Sequence, residues 1–190
     1  MSAVVILAGG KSKRMGRDKL ELFLGGSTLL ESAVSRFSEM FDDVYLSVAD
    51  ASKYPEIEAR RIVDIYPGAG PLSGLHAALS NLPGDGAFFV AADLPYASPE
   101  AAVCLIELCR ECDACIIRLP DSRLEPLFGY YRKTLLTSCE KALKSGDNRI
   151  TTIFKEADIR FVDPPELGDL WDEKLLLNVN YPEDYENLQK

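Results

Sequence analysis

Two uninterrupted apolar runs constrain the fold of this chain more than any other feature. Residues 3–8 and 87–92 each hold six consecutive apolar residues, rich in β-branched or aromatic side chains. Such runs are typical of strands that are buried on both faces of a parallel sheet. Each run gives way directly to a loop with glycine or charged residues, so the sequence predicts two central strands whose ends open onto polar loops.

Further strands and amphipathic helices alternate with these runs. Strands are predicted at 44–48, 60–65 and 112–118. Helices are predicted from Leu29 after a Ser27 or Thr28 cap, from Leu72, from Pro99 (after a Ser98 cap) to about Arg110, from Arg132 to Lys144, and from Pro182. This alternation indicates right-handed βαβ units. We therefore expect a single-domain α/β protein over residues 1–190, a Rossmann-like three-layer sandwich with a mostly parallel sheet.

The charge distribution limits the class of partner. The net charge is −9, yet residues 11–19 hold five basic residues against one acid. A short basic loop on an acidic body favours a small polyanion over a nucleic acid, which needs bases spread along a face. No apolar run reaches the ~18 residues of a membrane span, and no basic segment of a secretory signal precedes the first strand. Five cysteines without disulfide-framework spacing predict reduced thiols, so we expect a cytoplasmic protein without nucleic-acid or membrane partners.

Three loops that follow predicted strands carry candidate chemistry. Ligands of parallel sheets bind at the carboxyl ends of the strands. Gly9 and Gly10 would let backbone N–H groups approach an anion, and Arg14 and Lys19 could then contact phosphate oxygens. No G-x-x-x-x-G-K-[ST] motif is present, and the glycines of 68–74 miss the dinucleotide-binding spacing by one residue. An ordinary strand–helix turn with solvated bases remains the alternative.

Carboxylates and amides stand at the other predicted strand ends. Asp93 follows the second apolar run and is placed to ligate a Mg²⁺ that bridges substrate phosphates, or else it caps the next turn. Asp64 could accept a hydrogen bond from a nucleotide, help to position the metal, or initiate a Pro-Gly turn. Asn178 and Asn180 could supply amide oxygens to a metal or a sugar, and a helix-capping turn is the alternative.

The cysteines and the single histidine are interpreted as packing residues. Cys109, Cys112 and Cys115 have cluster-like spacing, but no fourth cysteine follows at a suitable distance. Thiols of this kind behave as small hydrophobic side chains. His76 has no visible catalytic partner, which disfavours a catalytic triad.

A longer pattern carries a resemblance to a known family. The segment Leu7-Ala8-Gly9-Gly10-x-Ser12-x-Arg14-Met15-Gly16-x-Asp18-Lys19 closely resembles the signature of the molybdenum cofactor guanylyltransferases. The resemblance continues, in the order of the family, at Asp64-x-Tyr66-Pro67-Gly68-x-Gly70-Pro71-Leu72-x-Gly74, Ala92-Asp93-Leu94-Pro95-Tyr96, Glu125-Pro126-Leu127, Gly146-Asp147-Asn148-Arg149 and Asn178-Val179-Asn180-Tyr181-Pro182. It therefore spans nearly the whole chain.

The resemblance implies a nucleotide-diphospho-sugar-transferase-like fold, with GTP, Mg²⁺ and molybdopterin or its molybdenum-loaded form as partners. Other proteins of cofactor biosynthesis are further candidate partners. By position, it assigns the guanine nucleotide to Leu7, Ala8, Gly9 and Gly10, its phosphates to Lys19, the nucleoside to Asp64, and nucleotide and Mg²⁺ to Asp93. Asn180 is the candidate second metal ligand, and Arg14, Lys19 and Asp93 are the catalytic candidates. The chain departs from the family at Ser47, where the family often has asparagine.

The reaction expected from this resemblance is transfer of GMP from GTP to the terminal phosphate of molybdopterin. The Gly9-Gly10 pair fits the guanylyl branch, since the cytidylyl branch tends to have Ala-Ala-Gly there. A cytidylyltransferase, a sugar-1-phosphate nucleotidyltransferase and a non-catalytic nucleotide-binding module remain alternatives. The sugar-phosphate enzymes are usually longer, and the joint presence of Lys19 and Asp93 disfavours a non-catalytic module.

Overall fold

A computed structural model describes residues 2–9, 18–180, 184, 185 and 188. The strands are β1 (Ala3–Leu7), β2 (Phe23–Leu24), β3 (Ser27–Thr28), β4 (Val44–Val48), β5 (Arg60–Val63), β6 (Gly86–Ala91), β7 (Ala114–Arg118), β8 (Leu124–Arg132) and β9 (Ile159–Val162). The α-helices are α1 (Leu29–Ser38), α2 (Pro71–Asn81), α3 (Pro99–Leu108) and α4 (Leu136–Lys144). Pro182, the predicted start of a last helix, lies outside the described residues.

The described part contains a seven-stranded sheet in the order β5-β4-β1-β6-β8-β7-β9. All its pairs are parallel except those of β8, which runs antiparallel to β6 and β7. Leu7 is paired with Ser47 on one side and Ala91 on the other, so β1, β4 and β6 end at one edge. The mostly parallel α/β sheet expected from the sequence is confirmed. We refer to this edge as the carboxyl edge.

Side chains of β1 alternate between two hydrophobic layers. Val4 and Ile6 pack in one cluster with residues of α1 and α3, whereas Val5 and Leu7 pack in another with residues of α2 and α4. Both faces of the strand are therefore buried under helices, which accounts for its continuous apolar run. The three-layer arrangement expected from the sequence follows from this burial.

The predicted helix caps are confirmed. Thr28, not Ser27, caps α1 through two reciprocal hydrogen bonds with Glu31. The backbone N–H of Glu31 donates to the hydroxyl of Thr28 at 3.1 Å, and the backbone N–H of Thr28 donates to the carboxylate of Glu31 at 2.7 Å. Ser98 caps α3 by accepting from the backbone N–H of Ala101 at 3.0 Å. Among the described residues, no helix is long and apolar enough to cross a membrane.

The bounds of several predicted elements differ from the structure, and the strand predicted at 60–65 ends at Val63. Arg132, predicted to open a helix, is the last residue of β8, because its N–H donates to Asp113 across the sheet, and α4 starts only at Leu136. Strand β8 is not among the predicted strands, and its internal proline is a residue that disfavours the interior of a strand. Strand β7 begins at Ala114, two residues late, and α3 ends at Leu108, leaving Cys109 as its C-cap. The strands β2, β3 and β9 are too short to show an apolar period.

Candidate active site

Three distant segments meet at the carboxyl edge around Lys19. Its ammonium group forms an ion pair with the carboxylate of Asp93 and donates a hydrogen bond to Oδ1 of Asn180 at 3.0 Å. Lys19 opens a short 3-10 helix after the basic loop, Asp93 follows β6, and Asn180 lies near the end of the chain. The predicted phosphate-binding and metal-binding residues are therefore brought together.

Backbone and core contacts hold this group in place. The carbonyl oxygen of Asp93 accepts from the N–H of Val179 at 3.1 Å, and the Val179 side chain is fully buried. The preceding residue of Lys19, Asp18, caps the 3-10 helix and accepts from the hydroxyl of Tyr54 at 2.8 Å. Nothing in the sequence indicates this role of Tyr54, because its partner is 36 residues away.

Arg36 of α1 fixes the loop that follows Asp93. Its guanidinium donates to the carbonyl oxygens of Leu94, at 3.4 Å, and Pro95. Burial lowers the pKa of Arg36 from its ordinary value, so the group carries a desolvation cost that these hydrogen bonds offset. In the sequence, Arg36 is indistinguishable from a charge on the solvated face of a helix.

The side of the group that faces α2 is shaped by a close approach of this helix to the sheet. A Cβ atom at Gly74 would lie 2.5 Å from Oγ of Ser47, 3.0 Å from Cδ2 of Leu7 and 3.6 Å from Oδ1 of Asp64. Glycine is thus required for α2 to pack at this distance. Within the described part of the chain, the Asp64 carboxylate accepts no hydrogen bond, and burial raises its pKa to about 6. It is an acceptor group suited to N–H donors from a ligand.

The first loop is described only at its beginning. Leu7 and Ala8 are buried, the carbonyl of Leu7 accepts from Ala92 at 3.2 Å, and the N–H of Ala8 donates to Ser47 at 3.0 Å. These two residues are therefore held by neighbouring strands. Gly9 is exposed, with open space where a Cβ would stand. Gly10 and Arg14 lie outside the described residues, as does the rest of the segment 10–17.

Next to Asn180 lies an open cleft of about 550 Å³. Asn178 and Asn180 line it, with Glu125, Arg123 and Trp171 among its other lining residues. We call it the β8 cleft. The sequence placed Glu125 within a motif but gave it no role.

By charge and loop position, the sequence makes Arg118, Arg123 and Arg149 candidates for binding an acceptor. Arg123 lines the β8 cleft, whereas Arg118 and Arg149 do not. Arg118 makes two hydrogen bonds to Asp163, at 2.9 and 2.7 Å, and Arg149 makes two to Asp147, at 3.0 and 2.8 Å. Their charges are therefore already paired with carboxylates at the protein surface.

None of the residues interpreted as packing groups belongs to the group formed by Lys19, Asp93 and Asn180. His76 is buried in α2, edge-on to the ring of Tyr66 at 5.3 Å. Cys109, Cys112 and Cys115 are buried, and burial raises the pKa of Cys115 to about 12. Within the described residues, no group of three or more His, Cys, Asp or Glu side chains is arranged to hold a metal ion.

A sheet that gathers a lysine, a carboxylate and an amide oxygen at its carboxyl edge, beside a half-buried acceptor group, has the layout of an α/β enzyme that handles nucleotide phosphates. The family described as MobA-like NTP transferase domain matches residues 4–160. The chain belongs to this family, whose members are nucleotidyltransferases.

Relatives agree with this assignment. A probable molybdenum cofactor guanylyltransferase of Methanosarcina mazei is 33% identical, covering 98% of this chain and 89% of the relative. The crystal structure of molybdopterin-guanine dinucleotide biosynthesis protein A from Archaeoglobus fulgidus superimposes with a TM-score of 0.87 at 26% identity, covering 98% and 96% of the two chains. The same fold, at 18% identity and a TM-score of 0.67 over 100% and 99% of the chains, occurs in Rv0371c of Mycobacterium tuberculosis, solved as a complex with manganese.

Proposed function

We propose that the protein transfers GMP from GTP to the terminal phosphate of molybdopterin and releases pyrophosphate. The convergence of Lys19, Asp93 and Asn180 from three distant segments is the observation that carries this proposal. A site for two phosphate-bearing substrates needs positive charge and metal-binding oxygens in one place, and this group supplies both. The guanylyltransferase relatives supply the choice of substrates.

The nucleotide is proposed to bind on the Gly74 side of Asp93, against Gly9 and with its nucleoside directed to Asp64. Guanine presents a ring N–H and an amino group side by side, and a carboxylate can accept from both. Cytosine lacks this pair of donors. The Asp64 carboxylate, which accepts no hydrogen bond from the described residues, therefore supports GTP over CTP.

A divalent cation is proposed to bind to Asp93 and Asn180. The carboxylate and the amide oxygen already converge on a cation, the ammonium of Lys19, and oxygen ligands are those that Mg²⁺ prefers. The fit is therefore good, and we propose Mg²⁺ as the ion. When bound, it would neutralise charge on the substrate phosphates. Lys19 would contact the phosphates of GTP directly as a positive charge, and Arg14 is proposed to assist it.

The chemistry proposed is in-line attack of the acceptor phosphate on the α-phosphorus of GTP, which breaks the bond to the pyrophosphate leaving group. The attacking oxygen comes from the acceptor, so no protein nucleophile is required. The protein would act by holding two mutually repelling anions in line and stabilising the charge of the leaving group. The acceptor is proposed to enter through the β8 cleft, which opens onto Asn180.

Pyrophosphate release from GTP or CTP in the presence of Mg²⁺, with molybdopterin or a sugar 1-phosphate as the acceptor, tests the proposal. Release only with GTP and molybdopterin supports it, and equal release from CTP would assign the protein to the cytidylyl branch. Asp93→Ala should abolish most turnover and remove the Mg²⁺ dependence of GTP affinity, whereas Lys19→Ala should weaken GTP binding with or without metal by ~1.5–3 kcal/mol. Asp85→Ala is the matched control, because Asp85 precedes the opposite end of the same strand.

A further inference from the structure

Glu125 is a carboxylate in a cleft that is proposed to admit an anionic substrate. It lines the β8 cleft together with Asn178 and Asn180. A carboxylate repels an incoming phosphate unless it meets hydrogen-bond donors elsewhere on the same ligand. Its presence there needs an explanation that general anion binding does not provide.

The local backbone is built around this side chain. The pairing of β7 with β8 shifts between Ile116, opposite Gly129, and Ile117, opposite Glu125, so residues 126–128 bulge out of that ladder. Two polar groups of the bulge have partners close by. The N–H of Leu127 donates to Oε1 of Glu125 at 3.2 Å, and the hydroxyl of the buried Tyr131 donates to the carbonyl of Pro126 at 2.7 Å. Bulges beside sites commonly redirect a side chain.

The sheet register places Glu125 on the acceptor side of Asp93. Val90 of β6 is paired with Phe128 of β8, and the two strands run antiparallel. Glu125 therefore lies three residues beyond that pair, towards the edge where β6 gives way to Asp93. Burial is the largest cause of the raised pKa of Glu125, and the charge of Asp93 adds to it, whereas the hydrogen bond from the N–H of Leu127 and the charge of Arg123 act in the opposite direction. Further donors brought by a ligand would stabilise the carboxylate form.

We propose that Glu125 recognises the acceptor by accepting hydrogen bonds from the N–H groups of its pterin ring, with Trp171, which lines the same cleft, as an apolar surface. This inference rests on the proposed function, because the acceptor named there is a pterin. A 2-amino-4-oxopteridine presents an amino group and a ring N–H side by side, and these are the donors that a carboxylate takes in pairs. Glu125 is thus a specificity-determining residue.

The probe is a pair of simple pteridines. Pterin has the 2-amino group, whereas lumazine has a carbonyl oxygen in its place and would present an acceptor to the carboxylate. Trp171 is the only tryptophan of the chain and lines the cleft, so quenching of its fluorescence measures binding. We expect the wild-type protein to bind pterin at least about tenfold more tightly than lumazine, as the loss of a hydrogen bond to a charged group implies.

The variant Glu125→Gln tests the residue itself. Its amide oxygen can still accept from Leu127, so the bulge is kept, while its amide nitrogen offers a donor to lumazine. The preference for pterin should fall to about threefold or less, and the KM for molybdopterin should rise about tenfold at unchanged GTP affinity. Glu173→Gln is the matched control, since Glu173 is a second, exposed carboxylate of the same cleft and should keep the wild-type preference.

The outcomes separate this inference from the proposed function. Equal binding of pterin and lumazine by the wild type, or an unchanged preference in Glu125→Gln, overturns the role of Glu125 even if GMP transfer proceeds. Failure of GMP transfer with a clear pterin preference would instead overturn the proposed function alone. If Glu125→Gln does not fold, as judged by loss of GTP binding, Glu125→Asp replaces it and must lower pterin affinity without improving that of lumazine.

Discussion

Gly74→Ala tests whether α2 lies against the sheet as closely as the structure has it. The new Cβ would stand 2.5 Å from Oγ of Ser47 and 3.0 Å from Cδ2 of Leu7, both below ordinary van der Waals separation. Overpacking of this kind costs ~1–3 kcal/mol, and the higher helix propensity of alanine returns up to ~1 kcal/mol. We expect a net loss of roughly 1 kcal/mol in the free energy of unfolding, measured by urea denaturation.

A double-mutant cycle with Ser47→Ala isolates the contact. Removal of the Ser47 hydroxyl takes away the atom closest to the new Cβ. The next atom is the Cδ2 methyl group of Leu7, which can rotate aside. Gly74→Ala should then be neutral or stabilising, which gives a coupling of ~1–2 kcal/mol between the two positions. In the protein that keeps Ser47, Gly74→Ala should also lower the affinity for GTP, because the displaced α2 moves away from Asp64, the proposed nucleoside contact. A stabilising Gly74→Ala in the wild-type background, or a coupling below ~0.5 kcal/mol, would refute the argument.

Three further predictions concern charge and burial. Burial raises the pKa of Asp64 in the folded state to about 6, so the native state binds more protons than the unfolded chain between pH 4 and 6. The protein therefore loses stability as the pH rises through that window, by ~1–2 kcal/mol after a reduction for solvent screening. Asp64→Asn should remove this loss, as measured by unfolding curves at pH 4.5 and 7.5. Arg36→Ala should lower the free energy of unfolding by ~2–3 kcal/mol because two carbonyl groups lose a charged donor, and a change under ~0.5 kcal/mol in urea denaturation would contradict it. The purified protein should carry well under one equivalent of zinc or iron by elemental analysis, since Cys109, Cys112 and Cys115 are interpreted as packing thiols, and a full equivalent would contradict that interpretation.

The nucleotide half of the fold was predictable because local pattern and tertiary role agree there. The run that forms β1 is apolar throughout because both of its faces are buried, and the caps Thr28 and Ser98 act within their own helices. Asp93 could be placed at a strand end for the same reason. Its approach to Lys19 then followed from the rule that the ends of parallel strands share an edge.

The acceptor half was not predictable by the same route. Strand β8 carries a proline and a bulge, so its sequence lacks the period of a strand, and its direction depends on partners far away in the chain. Arg36 and Tyr54 act through contacts with distant segments, and neither residue type is unusual at its position. Propensity and spacing contain no information on such pairings, whereas the family resemblance marked Glu125 without explaining it.

Because β8 runs in the reverse direction, the carboxyl edge consists of two parts, one formed by strand ends and one by a strand start. The nucleotide side is made where strands β1, β4 and β6 finish, whereas the β8 cleft is bordered by the place where β8 starts and by the tight hairpin before it, closed by a hydrogen bond from Leu119 to Arg123 at 2.8 Å. A hairpin tip tolerates insertion and exchange far better than a buried strand end. The hairpin is therefore an interchangeable part: its length and composition can be changed, for example to suit a different acceptor, while the ends of β1, β4 and β6 are left intact.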